Sequence, residues 1–158
     1  MPHVLMVCTA NICRSPVAEG LLRDRLQKRG LADWTVSSAG TWAQLKRGAS
    51  QNSVIAMSER GLDISNHSAQ MVEAKHLREV DLVLCMETGH AEALRAEFHQ
   101  YAPKIHLLTE MAGRYYSISD PYGQSLSAYK LMANEVEEII DEGLEEIIRL
   151  AEENAGGL

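Results

Sequence analysis

A cysteine and an arginine near the amino terminus could together bind and attack a tetrahedral anion. They are Cys8 and Arg14, and Ser15 and Pro16 follow directly. Arginine grips two oxygens of such an anion in a planar fork, and a thiolate is a strong nucleophile. Loop amides and the positive end of a helix dipole would also stabilise the thiolate. The pattern predicts an anion-binding loop with a reactive cysteine at its floor.

This loop must be positioned by the elements on either side of it. Residues 4–7 form an apolar run with the length of a buried strand. Ser15 suits the N-cap of a helix and Pro16 suits its first position. Ligands of open α/β sheets bind at the carboxyl ends of strands, which is where Cys8 would lie.

Strand-like and helical patterns alternate along the rest of the chain. Apolar runs predict three more strands, and helical periodicity predicts further helices. The strands are expected at residues 34–37, 82–86 and 105–108, and the helices at 54–60, 88–97 and from about 136 to 151. The alternation predicts a single α/β domain over residues 1–158, with a four-stranded parallel sheet and helices on both faces.

Composition excludes several other classes of protein. The chain has 158 residues, of which 46% are apolar, which suits one folded domain rather than a disordered chain. No apolar run approaches the roughly 18 residues of a membrane span, and the first residues lack the basic segment of a signal peptide. The net charge of −7 argues against a nucleic-acid-binding protein, which would carry an excess of basic residues. Three cysteines favour a reducing cytoplasm.

The segment CTANICRSP at residues 8–16, with Ala-Glu-Gly at 18–20, resembles the signature loop of low-molecular-weight protein tyrosine phosphatases. Residues 38–41, His67 and residues 120–122 match that family in the same order, so the resemblance covers nearly the whole chain. It implies an enzyme without metal or cofactor that acts on phosphotyrosine in a protein or on a small aryl phosphate. Inorganic phosphate would be the product.

The resemblance also implies a role for each of three residues. Cys8 would be the nucleophile that forms a phosphocysteine intermediate, and Arg14 would clamp the transition state together with the loop amides. Asp120 would protonate the leaving phenol and then activate the hydrolytic water. The implied phosphate-binding loop comprises Thr9, Ala10, Asn11, Ile12, Cys13, Arg14 and Ser15.

Further residues would support the loop. Asn11 is expected to hold it by hydrogen bonds with Ser38 and His67. The family usually has an arginine two or three positions after this histidine, whereas residues 68–70 are Ser-Ala-Gln, so one supporting contact must differ. Ala10 stands at a loop position where a positive φ would cost about 1 kcal/mol.

A second cysteine and two aromatic residues complete the expected site. In the family, a cysteine at the position of Cys13 forms a reversible disulfide with the nucleophile and protects it from over-oxidation. Trp42 and Tyr122 are the expected walls of a pocket for a flat aromatic ring. Cys85, within a predicted strand, is expected to be structural.

Three alternative functions stay open. Arsenate reductases share the loop and fold but need a further resolving cysteine on a mobile segment, for which Cys85 is badly placed. Bacterial protein arginine phosphatases usually carry threonine where Ile12 stands. A non-enzymatic phosphate-binding module would be expected to lack Cys8, Arg14 or Asp120, and all three are present.

Overall fold

Four parallel strands form the central sheet in the order β2-β1-β3-β4. The computed structural model describes residues 1–156. The strands are β1 (His3–Cys8), β2 (Thr35–Gly40), β3 (Leu82–Cys85) and β4 (Ile105–Leu107). The predicted four-stranded parallel sheet is confirmed. However, β2 continues to Gly40, three residues beyond its predicted end, because its small residues pair with the last residues of β1.

Helices cover both faces of the sheet, as predicted. The α-helices of the described residues are α1 (Arg14–Lys28), α2 (Gln51–Ser58), α3 (Ala74–Glu79), α4 (Thr88–Glu97) and α5 (Leu126–Gly156). Helices α1, α2 and α5 pack on one face, and α3 and α4 on the other. Two 3-10 helices, His99–Lys104 and Thr109–Ala112, flank β4.

Three of the predicted helices have other bounds in the structure, and one helix was not predicted. Helix α2 covers Gln51–Ser58 and not 54–60. Helix α1 begins at Arg14, so Ser15 lies inside its first turn, and Cys13 takes the N-cap position that the sequence assigned to Ser15. Helix α3 was not predicted, since its six residues are too few to show a clear period. Helix α5 begins at Leu126, before the periodic apolar stripe becomes regular.

Strand β1 is buried on both faces, and this fixes the position of the loop that follows it. Val4, Met6 and Cys8 face the apolar cluster under α1 and α5, whereas Leu5 and Val7 face the cluster under α3 and α4. Alternate residues of a strand point to opposite faces, so both sides of β1 contribute to the core. Cys8 is the last residue of the strand, and its side chain is buried in the cluster under α1 and α5.

Helix α5 is held against α1 by ion pairs as well as apolar contacts. The guanidinium of Arg25 lies 2.7 Å from carboxylate oxygens of both Glu137 and Asp141. Residues 131–158 contain nine acidic residues and one basic residue, and several of these acids therefore form ion pairs with bases at the end of α1. Although α5 is long, no helix within residues 1–156 is apolar enough along its length to cross a membrane.

Gly143 marks the closest approach of α5 to the second 3-10 helix. A Cβ at this position would lie 2.8 Å from the main-chain carbon and from the Cβ of Met111. Gly143→Ala should therefore lower the free energy of unfolding by about 1–3 kcal/mol. Gly89→Ala is the matched control, since a Cβ there meets no atom within 4 Å and α4 should gain about 0.5–1 kcal/mol. Urea denaturation would measure both, and equal midpoints for the two variants would contradict the close approach.

Candidate active site

The predicted phosphate-binding loop joins the carboxyl end of β1 to the amino end of α1. Cys8 lies at its floor and is 2% exposed, as the sequence predicts. The Oγ of Ser15 is 3.0 Å from the Sγ of Cys8, so its hydroxyl can donate to a thiolate. Ser15 thus contacts the sulfur from the first turn of α1.

The main-chain amides of the loop have no protein partner. Within residues 1–156, the amides of residues 9–13 donate to no protein acceptor. The carbonyls of Cys8, Thr9 and Ile12, by contrast, accept hydrogen bonds from residues 41–50. Because the N–H and C=O of a peptide unit point in opposite directions, carbonyls held on one side leave amides free on the other. Consecutive free amides at a helix amino terminus are an anion-binding arrangement.

Asn11 sets the curvature of this loop. Its φ of 60° lies in the left-handed region, which asparagine tolerates better than most residues. Its Nδ2 donates to Ser15 Oγ at 2.8 Å and to Ser38 Oγ at 2.9 Å. The expected contact with Ser38 is therefore present. The positive φ falls on Asn11 and not on Ala10, so the strain considered at Ala10 does not arise.

His67 and Gln70 complete the support of the loop. His67 Nε2 lies 2.6 Å from the main-chain oxygen of Asn11, so its contact is with the backbone. Gln70 occupies the stretch where the family usually has an arginine. Its amide N–H donates to Asn11 Oδ1 at 3.0 Å, and its side-chain Nε2 donates to the carbonyl of Ser38 at 2.9 Å. Gln70 therefore supports the loop from the stretch where the family usually has an arginine.

Arg14 is buried to 1% exposure and is oriented by groups from other elements. Its Nη1 lies 2.6 Å from Glu87 Oε2 and 2.6 Å from the carbonyl of Ile118. Its Nη2 is 3.6 Å from Asp120 Oδ2. Its Nε is buried and has no partner among the described residues. A buried guanidinium N–H without an acceptor is the group that a bound anion would satisfy.

Glu87 was missed by the sequence analysis. It follows β3 by two residues, at the same edge of the sheet as Cys8. A carboxylate at the carboxyl end of the neighbouring strand was the available signal. Glu19 belongs to the motif at 18–20, but the sequence analysis assigned it no role; it accepts a hydrogen bond from Ser38 Oγ at 2.5 Å and so extends the network behind Asn11.

Asp120 lies at the mouth of the site with its side chain 42% exposed. Its Oδ1 accepts a hydrogen bond from the amide of Tyr122 at 3.1 Å, as in an Asx turn. Its Oδ2 is the oxygen near Arg14. The structure thus places the predicted acid both in a turn and beside the loop.

A cavity of about 440 Å³ opens above the loop. Trp42 and Tyr122 lie at its rim and are 79% and 55% exposed. Arg47, which the sequence analysis did not single out, stacks over Tyr122 with its guanidinium carbon 5.7 Å from the ring centroid. The lining comprises Cys8, Thr9, Ala10, Ile12, Cys13, Arg14, Trp42, Ala43, Gln44, Arg47, Asp120 and Tyr122.

The three cysteines are free thiols in different environments. Cys13 Sγ lies 3.1 Å from Ser50 Oγ and 3.5 Å from the hydroxyl of Tyr129, and burial raises the pKa of Cys13. Burial within β3 raises the pKa of Cys85 to about 12. The disulfide between Cys8 and Cys13 stays a prediction. Residues 1–156 contain no cluster of three or more side chains suited to hold a metal ion.

Comparison with known proteins agrees with this geometry. Residues 3–153 match the family described as low molecular weight phosphotyrosine protein phosphatase. A protein-arginine-phosphatase of Bacillus subtilis (strain 168) is 33% identical over 138 residues, which is 87% of this chain and 91% of that protein. The low molecular weight protein-tyrosine-phosphatase Wzb of Salmonella typhi is 37% identical over 130 residues, which is 80% of this chain and 81% of that protein.

A solved structure shows the same fold. The crystal structure of a low molecular weight protein tyrosine phosphatase from T. tengcongensis superposes with a TM-score of 0.87 at 38% identity, over 92% of this chain and 99% of that one. The chain therefore belongs to the low-molecular-weight protein tyrosine phosphatase family.

The contacts of Asn11 predict how the loop responds to its loss. Asn11→Ala and Asn11→Gly both remove the side-chain amide, but glycine accepts a positive φ without strain. Both should lower kcat/KM for p-nitrophenyl phosphate by roughly 10²-fold, since the loop would lose its fixed geometry. The glycine variant should be the more stable of the two. Asn66→Ala, at an exposed asparagine, is the control. Wild-type activity in Asn11→Gly would show that φ alone maintains the loop.

Proposed function

We propose that the protein is a protein tyrosine phosphatase that hydrolyses phosphotyrosine through a covalent phosphocysteine. The observation that carries the proposal is the set of unpaired donors beside Cys8. Five consecutive loop amides and the Nε of Arg14 lack protein acceptors. A phosphoryl group offers the oxygens that these donors need.

In the first step, the thiolate of Cys8 attacks phosphorus as the bond to the tyrosine oxygen breaks. Asp120 gives its proton to the leaving phenolate oxygen. The product is phosphocysteine plus free tyrosine, with Asp120 ionised. The free amides and Arg14 stabilise the charge on the equatorial oxygens, which is the main requirement of phosphoryl transfer.

In the second step, water attacks the phosphorus of the phosphocysteine. The ionised Asp120 accepts a proton from this water, and Cys8 leaves as a thiolate. The Ser15 hydroxyl, 3.0 Å from the sulfur, stabilises that thiolate. Inorganic phosphate is released, and both catalytic groups return to their starting protonation states.

The surroundings of the loop favour an aromatic substrate. Trp42 and Tyr122 are exposed aromatic side chains at the mouth, against which a phenyl ring can pack. Ile12 lines the cavity without a polar group. We place this chemistry in a reducing compartment such as the cytoplasm, since a reactive thiol and two further free thiols would persist there.

Protein arginine phosphatase activity is the second candidate, because the Bacillus subtilis relative carries that name. Phosphoarginine presents a polar N–P linkage, whereas Ile12 is apolar.

The two candidates predict different ratios of activity. We expect kcat/KM for a phosphotyrosyl peptide to exceed that for the matched phosphoarginyl peptide. Ile12→Thr should shift this ratio toward phosphoarginine by roughly 10-fold, the scale of one hydrogen bond to a charged group. Ile12→Val keeps the branched shape without a hydroxyl and should leave the ratio unchanged. A wild-type preference for phosphoarginine would overturn the tyrosine assignment.

The role of Asp120 can be separated from its place in the turn. Asp120→Asn keeps an Oδ1 that can accept from the Tyr122 amide but cannot supply the proton. Hydrolysis of phosphotyrosine should slow by about 10²–10⁴-fold, because its phenol has a pKa of about 10. p-Nitrophenyl phosphate should lose less in its phosphorylation step, since nitrophenol is a much more acidic leaving group.

Rapid-mixing kinetics would measure both phosphorylation rates, with Asp33→Asn, at an exposed acid, as the control. An equal loss for the two substrates would leave Asp120 as a turn residue only.

A further inference from the structure

His90 is buried beside the phosphate-binding loop, although no step of the proposed mechanism uses it. It lies in the first turn of α4 and is 7% exposed. Its Nε2 is 2.9 Å from the Oγ1 of Thr9, the loop residue that follows Cys8 and lines the cavity. Its Nδ1 is buried and has no partner among residues 1–156. Packing alone would favour an apolar side chain at such a position.

The surroundings of the ring assign its proton to Nε2. Burial lowers the pKa of His90, so the ring is neutral at neutral pH. The charges of Glu87 and Asp120 act against this shift, and the charge of Arg14 reinforces it. Glu87 Oε2 lies 3.9 Å from Nε2 and stabilises a proton on that nitrogen. A proton on Nδ1 would instead be a buried N–H without an acceptor, which is rare in proteins.

We propose that His90 orients the Thr9 hydroxyl as a hydrogen-bond donor to an oxygen of the bound phosphate ester. A hydroxyl has one hydrogen and two lone pairs. Because Oγ1 accepts from His90, its own hydrogen must point elsewhere, and no other described residue accepts it. Thr9 lines the cavity, so the hydrogen is available to a ligand there.

This assignment rests on the proposed function, since it supposes a phosphate ester above the loop. Thr9 is then a binding residue, and His90 is a positioning residue that acts through it. The pair adds a side-chain donor to the main-chain donors of the loop.

The first test compares variants of Thr9. Thr9→Val removes the hydroxyl and keeps the shape, whereas Thr9→Ser keeps the hydroxyl. Thr9→Val should weaken the binding of inorganic phosphate, measured by titration calorimetry, by roughly 10-fold. It should lower kcat/KM for p-nitrophenyl phosphate by a similar factor, and Thr9→Ser should remain close to the wild type. Thr35→Val is the matched control. Thr35 is the first residue of β2, at the end of that strand away from the loop, so this variant should change neither quantity.

The second test asks whether His90 acts through Thr9. His90→Leu should cause the same roughly 10-fold losses, and the double variant with Thr9→Val should lose nothing further, because both changes remove one hydrogen bond. His90→Gln can donate from its side-chain amide and should restore most of the phosphate affinity. Additive losses in the double variant would overturn the pairing.

The two tests remain informative if a variant or the proposed function fails. If His90→Leu does not fold, the comparison of Thr9→Val with Thr9→Ser still decides, and unchanged phosphate affinity in Thr9→Val would overturn the proposal. If the protein hydrolyses no phosphate monoester, the calorimetric losses would still support the donor pair, and only the proposed function would fall.

Discussion

Leaving consecutive main-chain amides without a protein partner is the constraint on which the rest of this structure depends. Each unsatisfied buried polar group costs about 1–3 kcal/mol, so a loop of this kind tends to rearrange until its amides are paired. Here the carbonyls on the opposite side of the loop are bound to the segment after β2. Asn11 holds the left-handed turn that reverses the chain. The loop is therefore kept in a form whose free amides are ready to bind an anion.

The fold supports this loop from three directions. Strand β1 is buried on both faces and fixes Cys8, while α1 carries Arg14 and Ser15 in its first turn. Glu87 follows the carboxyl end of β3 and forms an ion pair with the guanidinium of Arg14. The loop gains rigidity from elements whose own positions depend on core packing, and substrate binding need not order it.

The sequence predicted the centre of this site much better than its surroundings. Cys8 and Arg14 could be found because both lie on one short loop whose flanking strand and helix have clear local signals. His90 and Arg47 could not, because they come from other parts of the chain and meet the loop only through the crossover connections. Glu87 carried one weaker signal, its position two residues after the end of β3. Gln70 shows the same limit, since a family pattern with arginine gave no reason to expect that a glutamine side chain would donate to the carbonyl of Ser38. Strand β2 was predicted too short because serine and glycine carry little strand propensity, and only pairing with β1 extends it.

In the proposed reaction, the phosphoryl group passes through the sulfur of Cys8. Mixing the enzyme rapidly with p-nitrophenyl phosphate, quenching under denaturing conditions and mapping the peptides by mass spectrometry tests this claim most directly. We expect a burst of nitrophenol close to one equivalent per protein and one phosphoryl group on the peptide that contains Cys8. A phosphoryl group on a different residue, or turnover with no phosphorylated peptide and no burst even when the second step is slowed, would contradict it.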